Sequence, residues 1–330
     1  MDCLLIQPIH PDGITILEEA GLTVRQASEP TMACVIREVG DAVAAITRNA
    51  GFSQDAMVAA GALKVLGNHG IGLDPVDTDY AREIGLPIVY TPHANVQSVA
   101  EQALAQMMAV AKRVREADSA VRAGRFDYRY TRDFVELFGK TLLIVGFGTI
   151  GKHTAELAAK AFGMRILVHS PHADRAAVET SGFVPADDLD AALGEADVVS
   201  LHQRLTPATR GLFNAARLRA MKPGAILVNT ARGGIVETDA LVEAVSSGHL
   251  RGAAMDVFET EPLPADHPFT RTPGIVLSPH IGGATEEALV RTAVETAQQV
   301  VDVLNDNKPP HLVDDSVWER RRHAGVKAPA

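Results

Sequence analysis

Three residues in this 330-residue chain carry side chains suited to joint chemistry: Arg232 in "NTARGG", Glu261 in "VFETEP" and His280 in "LSPH". Each follows an apolar run that reads as a β-strand: "AILVNT", "AAMDVF" and "IVLSPH" respectively. A guanidinium can hold a planar carboxylate with two parallel hydrogen bonds. An imidazole can give or take a proton near neutral pH, and a neighbouring carboxylate favours the protonated ring and fixes its tautomer. Singly, these residues read as a surface charge, a loop acid and a helix-start residue. Together they stand at equivalent strand ends, one beside Gly-Gly and one before "IGG". In an open α/β sheet that is the rim where ligands bind.

A second constellation is the turn "GFGTIG" at residues 146–151, between the apolar run "TLLIVG" and the helical pattern "TIGKHTAELAAKAFG". Gly146 permits the tight turn, Gly148 lets a pyrophosphate approach the backbone, and Gly151 allows close helix–sheet packing. Thr149 and Ile150 open the helix. About twenty residues further on, an acid is expected for the adenine ribose. The chain has Ser170 there, followed by Pro171 and His172 in "ILVHSPHADR".

The elements that must position these groups alternate along the chain. "CLLIQP", "AVAAIT", "LKVLGN" and "LPIVYT" read as strands before residue 92, with helical stretches between them. One long helical pattern runs from about Val96 to Val121. A second βα series follows, and a last helix is expected from about Glu286 to Leu304. The alternation implies parallel sheets covered by helices. It divides the chain into residues 1–93, residues 94–284 and a return segment, 285–330, with crossings near 92–96 and 283–286. The end, "WERRRHAGVKAPA", reads as frayed.

Composition narrows the possible partners. The formal net charge of −10 argues against nucleic acid and anionic membrane. The N-terminus carries no basic leader and no apolar run approaches a membrane span, which predicts a cytoplasmic protein. Cys3 and Cys34 read as buried, inert thiols. No metal site is expected.

The motifs "GKTLLIVGFGTIGK", "LHQRLTPATRGLFN", "MKPGAILVNTARGGIVE", "AAMDVFETEPLP" and "LSPHIGGAT" resemble, in order, those of the D-isomer-specific 2-hydroxyacid dehydrogenases. That family includes glyoxylate/hydroxypyruvate reductases and phosphoglycerate dehydrogenase. "TPHANVQSVAEQAL" is similar to its segment entering the cofactor domain. The resemblance implies an α/β fold of two doubly wound parallel-sheet domains, a Rossmann cofactor domain inserted into a flavodoxin-like substrate domain.

It also implies roles. Arg232 binds the substrate, His280 is the general acid/base and Glu261 is its partner. Asp256 meets the nicotinamide carboxamide. The loop "NHGIGLD" offers the backbone of Gly70 and Ile71 to the substrate carboxylate, and Asn95 supports that loop or caps the helix that starts near Val96. Apart from the resemblance, His69 stands at a strand end, where it can shape the pocket. His202, Thr206, Thr230, Ala231, Gly282 and Gly283 fall along the coenzyme. His10 and His93 also lie at strand ends. The activity implied is reduction of a small 2-keto acid, glyoxylate or hydroxypyruvate foremost, to the D-2-hydroxy acid. Phosphoglycerate or another 2-hydroxy acid is the alternative substrate, and an NAD(H)-sensing regulatory protein is the alternative of another class.

Several residues depart from the family pattern. Gln102 stands where many members have His, and Gln203-Arg204 where small apolar residues and Pro are usual. No regulatory domain is expected beyond residue 330, which points away from the long, allosteric phosphoglycerate enzymes. Glu261, rather than Gln, points away from a formate enzyme. Ser170 removes the carboxylate that would repel a 2′-phosphate, and His172, Arg175 and the helix start after them can attract one. NADP(H) is therefore expected to be favoured over NAD(H), with both used. Phe126, Tyr128, Tyr130, Phe134 and Phe138, gathered in "RAGRFDYRYTRDFVELFG", predict a homodimer through the cofactor domains.

Overall fold

The computed structural model describes residues 1–131 and 133–322. Its backbone divides into two units, one of residues 1–95 with those from 285 on, the other of residues 96–284.

The first unit contains β1 (Asp2–Leu5), β2 (Thr23–Gln26), β3 (Ala44–Thr47), β4 (Val65–Asn68) and β5 (Ile88–Tyr90). They pair in parallel in the order β2-β1-β3-β4-β5. β3 and β4 are buried at every residue, as central strands covered on both faces must be. β2, "TVRQ", escapes a reading by apolar runs because it lies at the edge and has polar residues on both sides of Val24.

The helix Glu286–Leu304 belongs to this unit. The Thr285 side chain caps it by accepting from the Ala288 amide. Ala288, Thr292, Ala293, Thr296, Ala297, Val300 and Val303 form its buried stripe at helical spacing. The stripe is made of small residues where the helix Pro11–Glu19 crosses closely. A Cβ on Gly13 would stand 2.8 Å from the Ala293 carbonyl oxygen, so any side chain there forces the helices apart.

Beyond this helix the frayed end expected from "WERRRHAGVKAPA" is corrected as far as Arg322. Trp318 is only 8% exposed. The Arg321 guanidinium lies over its ring at 4.1 Å, and the Arg322 amide donates to the Gly85 carbonyl at 2.6 Å. The rest of that stretch, residues 323–330, lies outside the described residues.

The second unit contains β6 (Thr141–Val145), β7 (Arg165–His169), β8 (Val184–Pro185), β9 (Val198–Leu201), β10 (Ile226–Asn229), β11 (Gly252–Met255) and β12 (Ile275–Leu277). All pair in parallel in the order β12-β11-β10-β9-β6-β7-β8. The continuous apolar run of β6 follows from its central place. Leu143 and Val145 enter one core cluster, Leu142 and Ile144 the other. The chain leaves β6 towards β7 on one side and returns as β9 on the other. Val145 stands opposite both His169 and Leu201, so β6 is the switch point of the sheet. The two parallel sheets are the α/β architecture expected.

The single helix expected over Val96–Val121 is two helices, Val96–Ala111 and Val114–Arg122. Arg113 breaks it in the left-handed region at φ 49°. Its guanidinium is held by Asp133, Nε to Oδ2 at 2.8 Å, a long-range contact that helical periodicity does not reveal. Among the described residues no helix is long and apolar enough to cross a membrane. Both cysteines are buried, and burial pushes the Cys3 thiol up to about 12.

Candidate active site

The three residues singled out by type all belong to the second unit. His280 Nδ1 donates to Glu261 Oε2 at 2.7 Å, and Glu261 Oε1 accepts from the Phe258 amide at 2.9 Å. Burial alone raises the Glu261 carboxyl. The His280 bond, the Phe258 amide and the charges of His280 and Arg232 outweigh it and hold the group below its usual value. Arg232 thus lies close enough for its charge to act on the pair. The Asn229 amide group fixes the backbone on both sides of it, donating to the Arg232 carbonyl at 2.9 Å and accepting from the Ala231 amide at 3.0 Å. Sequence reasoning missed Asn229, which looks like an ordinary strand-end residue.

His280 is held in the left-handed region at φ 54°, which costs an L-residue on the order of 1–2 kcal/mol. Asp256 supplies the compensation. Its main-chain carbonyl accepts from the His280 amide at 2.8 Å. Its carboxylate accepts from the Ile281 amide at 3.0 Å, the Gly282 amide at 2.8 Å and the Ser278 hydroxyl. The Ser278 oxygen in turn accepts from Gln102 and Gln106 at 3.1 and 2.8 Å. Asp256 is 1% exposed. The resemblance implies that Asp256 meets the nicotinamide carboxamide, and in the structure its carboxylate oxygens hold the loop that carries His280. The Gln102 departure has a place too, because its amide completes the Ser278 hydroxyl.

The glycine turn separates into two structural demands. A Cβ on Gly151 would stand 2.1 Å from the Gly146 carbonyl oxygen, and one on Gly146 2.8 Å from the Gln203 amide nitrogen. The protein itself needs both glycines. A Cβ on Gly148 would meet no protein atom within 4 Å. That space lies at the N-terminus of the helix Thr149–Phe162, which no side chain caps, so Thr149 and Ile150 sit in a first turn with unsatisfied amides. An open depression beside it is lined by Val96, Phe147, Gly148, Thr149, Lys152, His153 and Glu156. The turn fits a dinucleotide pyrophosphate.

His202 lies beneath the turn, its Cβ 3.2 Å from a Cβ placed on Gly151, and its Nε2 meets the Ser200 hydroxyl at 2.8 Å. Burial pushes its pKa down to about 4, so it is a neutral support. Thr206 is bonded to the Thr209 hydroxyl through its amide. Thr230 Oγ1, at the end of β10, is buried with no partner among the described residues, and Ala231 packs on the core beside it. The Gly282 carbonyl accepts from the Ser98 hydroxyl, and Gly283 follows it in the same turn.

At the end of β7, Ser170 is half-buried and His172 exposed. Arg175 and the helix start already meet carboxylates of the protein. The Arg175 guanidinium is shared between Asp187 at 2.9 Å and Glu179 at 3.1 Å. The helix is only Arg175–Thr180, and Asp174 caps it by accepting from the Ala176 amide at 3.0 Å. Two groups expected to attract a phosphate are therefore already occupied by carboxylates.

In the first unit, the loop after β4 carries His69, Gly70 and Ile71. The Asn68 side chain donates to the Gly70 and Gly72 carbonyls, both at 3.0 Å. The Gly70 amide, expected to face the substrate carboxylate, donates to the Asn68 carbonyl at 2.9 Å. The Ile71 amide makes no hydrogen bond among the described residues. His69 is buried with Nε2 unpartnered, and burial, aided by the Arg48 charge, pushes its pKa down to about 4. Asn95 is half-buried with Oδ1 unpartnered, as a residue awaiting a donor would be. His10 caps the helix Pro11–Glu19 and meets Glu286 at 3.1 Å, and His93 packs edge-on against His311. No cluster of three or more His, Cys, Asp or Glu among the described residues is arranged to hold a metal.

Residues 104–282 match the family model described as D-isomer specific 2-hydroxyacid dehydrogenase, NAD binding domain. The chain is 41% identical over 279 residues to a glyoxylate reductase of Thermofilum pendens, covering 83% of this chain and 81% of that protein. It is 36% identical over 312 residues to a D-3-phosphoglycerate dehydrogenase of Methanocaldococcus jannaschii, covering 94% of this chain but only 59% of that longer protein. Among solved structures, the TT0316 protein of Thermus thermophilus superposes with a TM-score of 0.88 at 37% identity, over 95% of this chain and all of that one. With the glycine turn, the His–Glu pair and the two parallel sheets all in place, the chain belongs to the D-isomer-specific 2-hydroxyacid dehydrogenase family.

Proposed function

We propose that this protein is an NAD(P)H-dependent reductase of small 2-keto acids, with glyoxylate and hydroxypyruvate as its foremost substrates. The observation that carries this reading is the 2.7 Å pair of His280 and Glu261, formed within reach of the Arg232 charge. A bound nicotinamide coenzyme supplies the hydride that reaches C2 of the keto acid. Arg232 holds the carboxylate of the acid and orients its carbonyl. Glu261 fixes the proton of His280 on Nδ1, so Nε2 faces the carbonyl oxygen and delivers the second proton of the imidazolium to it. The product is the D-2-hydroxy acid, and the ring is left neutral.

The name of the 41% identical relative supports glyoxylate. That of the Methanocaldococcus jannaschii relative supports 3-phosphohydroxypyruvate as the alternative. Oxidation of NADPH and NADH followed at 340 nm with glyoxylate, hydroxypyruvate and 3-phosphohydroxypyruvate separates these readings. The highest kcat/KM should fall on one of the first two. No turnover of any 2-keto acid would leave a coenzyme-sensing role and refute the enzyme reading.

For the coenzyme, the reading that supports NADP(H) rests on the missing acid at Ser170 and on His172, since Arg175 is already paired. An acid at position 170 would hold the two ribose hydroxyls of NAD(H) and repel a 2′-phosphate. Wild-type kcat/KM should be higher with NADPH than with NADH, and Ser170→Asp should reverse the order. Equal preference in the two proteins would refute this.

A further inference from the structure

We propose that Arg204 is a phosphate-binding residue for the coenzyme, a role that rests on the dehydrogenase reading above. Arg204 lies three residues beyond the end of β9, whose last residue, Leu201, stands opposite Val145 at the end of β6. The chain between them runs against the glycine turn, since a Cβ on Gly146 would touch the Gln203 amide nitrogen at 2.8 Å. Arg204 is the next residue. Its backbone is fixed, with the Thr209 hydroxyl donating to its carbonyl at 2.7 Å and Thr209 Oγ1 also accepting from the Thr206 amide at 2.8 Å.

Among the described residues, the Arg204 guanidinium lacks the carboxylate partner that Arg210 and Arg217 have. Arg210 pairs with Glu259 at 2.9 Å and Arg217 with Asp190 at 2.9 Å. On the other side of β6, Arg175 is shared between two carboxylates. Arg204 is exposed and has no partner among the described residues, on a molecule with a formal charge of −10. Beside it, Gln203 Nε2 is a buried donor, also without a partner. An unpaired guanidinium and an unsatisfied amide, next to a turn whose open side fits a pyrophosphate, form a donor set for phosphate oxygens. The phosphate can be the 2′-phosphate of NADP or the pyrophosphate shared by both coenzymes. The chemistry on the protein side is the same.

The test is calorimetric titration of the whole coenzyme-free protein with NADP+, NAD+ and 2′,5′-ADP, comparing wild type, Arg204→Ala and Arg204→Lys. Arg204→Ala should weaken at least one dinucleotide about tenfold or more, with Arg204→Lys intermediate. A loss confined to NADP+ and 2′,5′-ADP assigns the 2′-phosphate, and an equal loss for NADP+ and NAD+ assigns the pyrophosphate. Unchanged affinities in Arg204→Ala, with wild type binding normally, overturn the proposal and leave the dehydrogenase reading standing. A wild type that binds neither dinucleotide overturns that reading itself.

Discussion

His280 and Glu261 are joined Nδ1 to Oε2 at 2.7 Å, which leaves Nε2 as the ring nitrogen open to a substrate oxygen. The carboxylate fixes the ring's tautomer and orientation, so Nε2 stays aimed at the substrate. In Glu261→Gln that hold is weakened, and kcat for reduction should fall about tenfold or more with coenzyme affinity within about twofold of wild type. A kcat equal to wild type would show that Glu261 does not orient the ring.

Arg232 stands where Asn229 fixes its main chain on both sides, so a substitution there tests the head group rather than the loop. Arg232→Lys keeps the charge and loses the two-pronged geometry. It should lower kcat/KM about 100-fold or more, equivalent to about 2.7 kcal/mol of transition-state stabilisation. Coenzyme affinity, measured by quenching of protein fluorescence, should stay within about twofold of wild type. A kcat/KM within tenfold of wild type would mean that Arg232 does not hold the carboxylate.

Much of this site was legible because its residues occupy strand ends, and strand ends can be read from apolar runs. The trio of Arg232, Glu261 and His280 and the three glycines needed no more than that. What escaped the sequence was partner choice. Nothing in "ADRAAVE" shows that Arg175 turns to Asp187 twelve positions away, nor in "NHGIG" that the Gly70 amide folds back on Asn68. Asp256 stands out only through the family resemblance, and nothing in the sequence shows that its carboxylate holds the backbone of residues 281 and 282. The edge strands β2 and β8 were missed for a related reason. One is mostly polar and the other two residues long, so neither forms an apolar run.

His69 and His202 predict how the fold responds to acid. Both are held neutral, with pKa values pushed down to about 4 chiefly by burial, against about 6.5 in an unfolded chain. Below pH 6.5 the unfolded chain takes up protons at these positions that the folded protein refuses. Stability is therefore undiminished by them above pH 6.5 and is lost progressively as the pH falls towards 4. The thermal midpoint should drop across that window, and the drop should be smaller in a His69→Gln, His202→Asn double variant. An equal drop in both proteins would remove these histidines as the cause.

Exposed aromatic side chains predict an interface between two copies. Phe126, Tyr130 and Phe138 are 67%, 73% and 79% exposed, too much apolar surface in one segment for a solvated connector. Phe134 and Tyr128 pack edge-to-face beside them. Light scattering should give twice the 35.1 kDa of one chain at micromolar concentration. The double substitution Tyr130→Asp, Phe138→Asp should shift it towards one. A wild type with the mass of a single chain would refute the dimer.

The central claim is that His280 supplies the proton when a 2-keto acid is reduced, and the most direct measurement is kcat of His280→Ala on the best substrate at neutral pH. The expected result is a fall of about a thousandfold or more, with NADPH and NADH binding within about twofold of wild type. Turnover of His280→Ala near the wild-type rate would contradict the account.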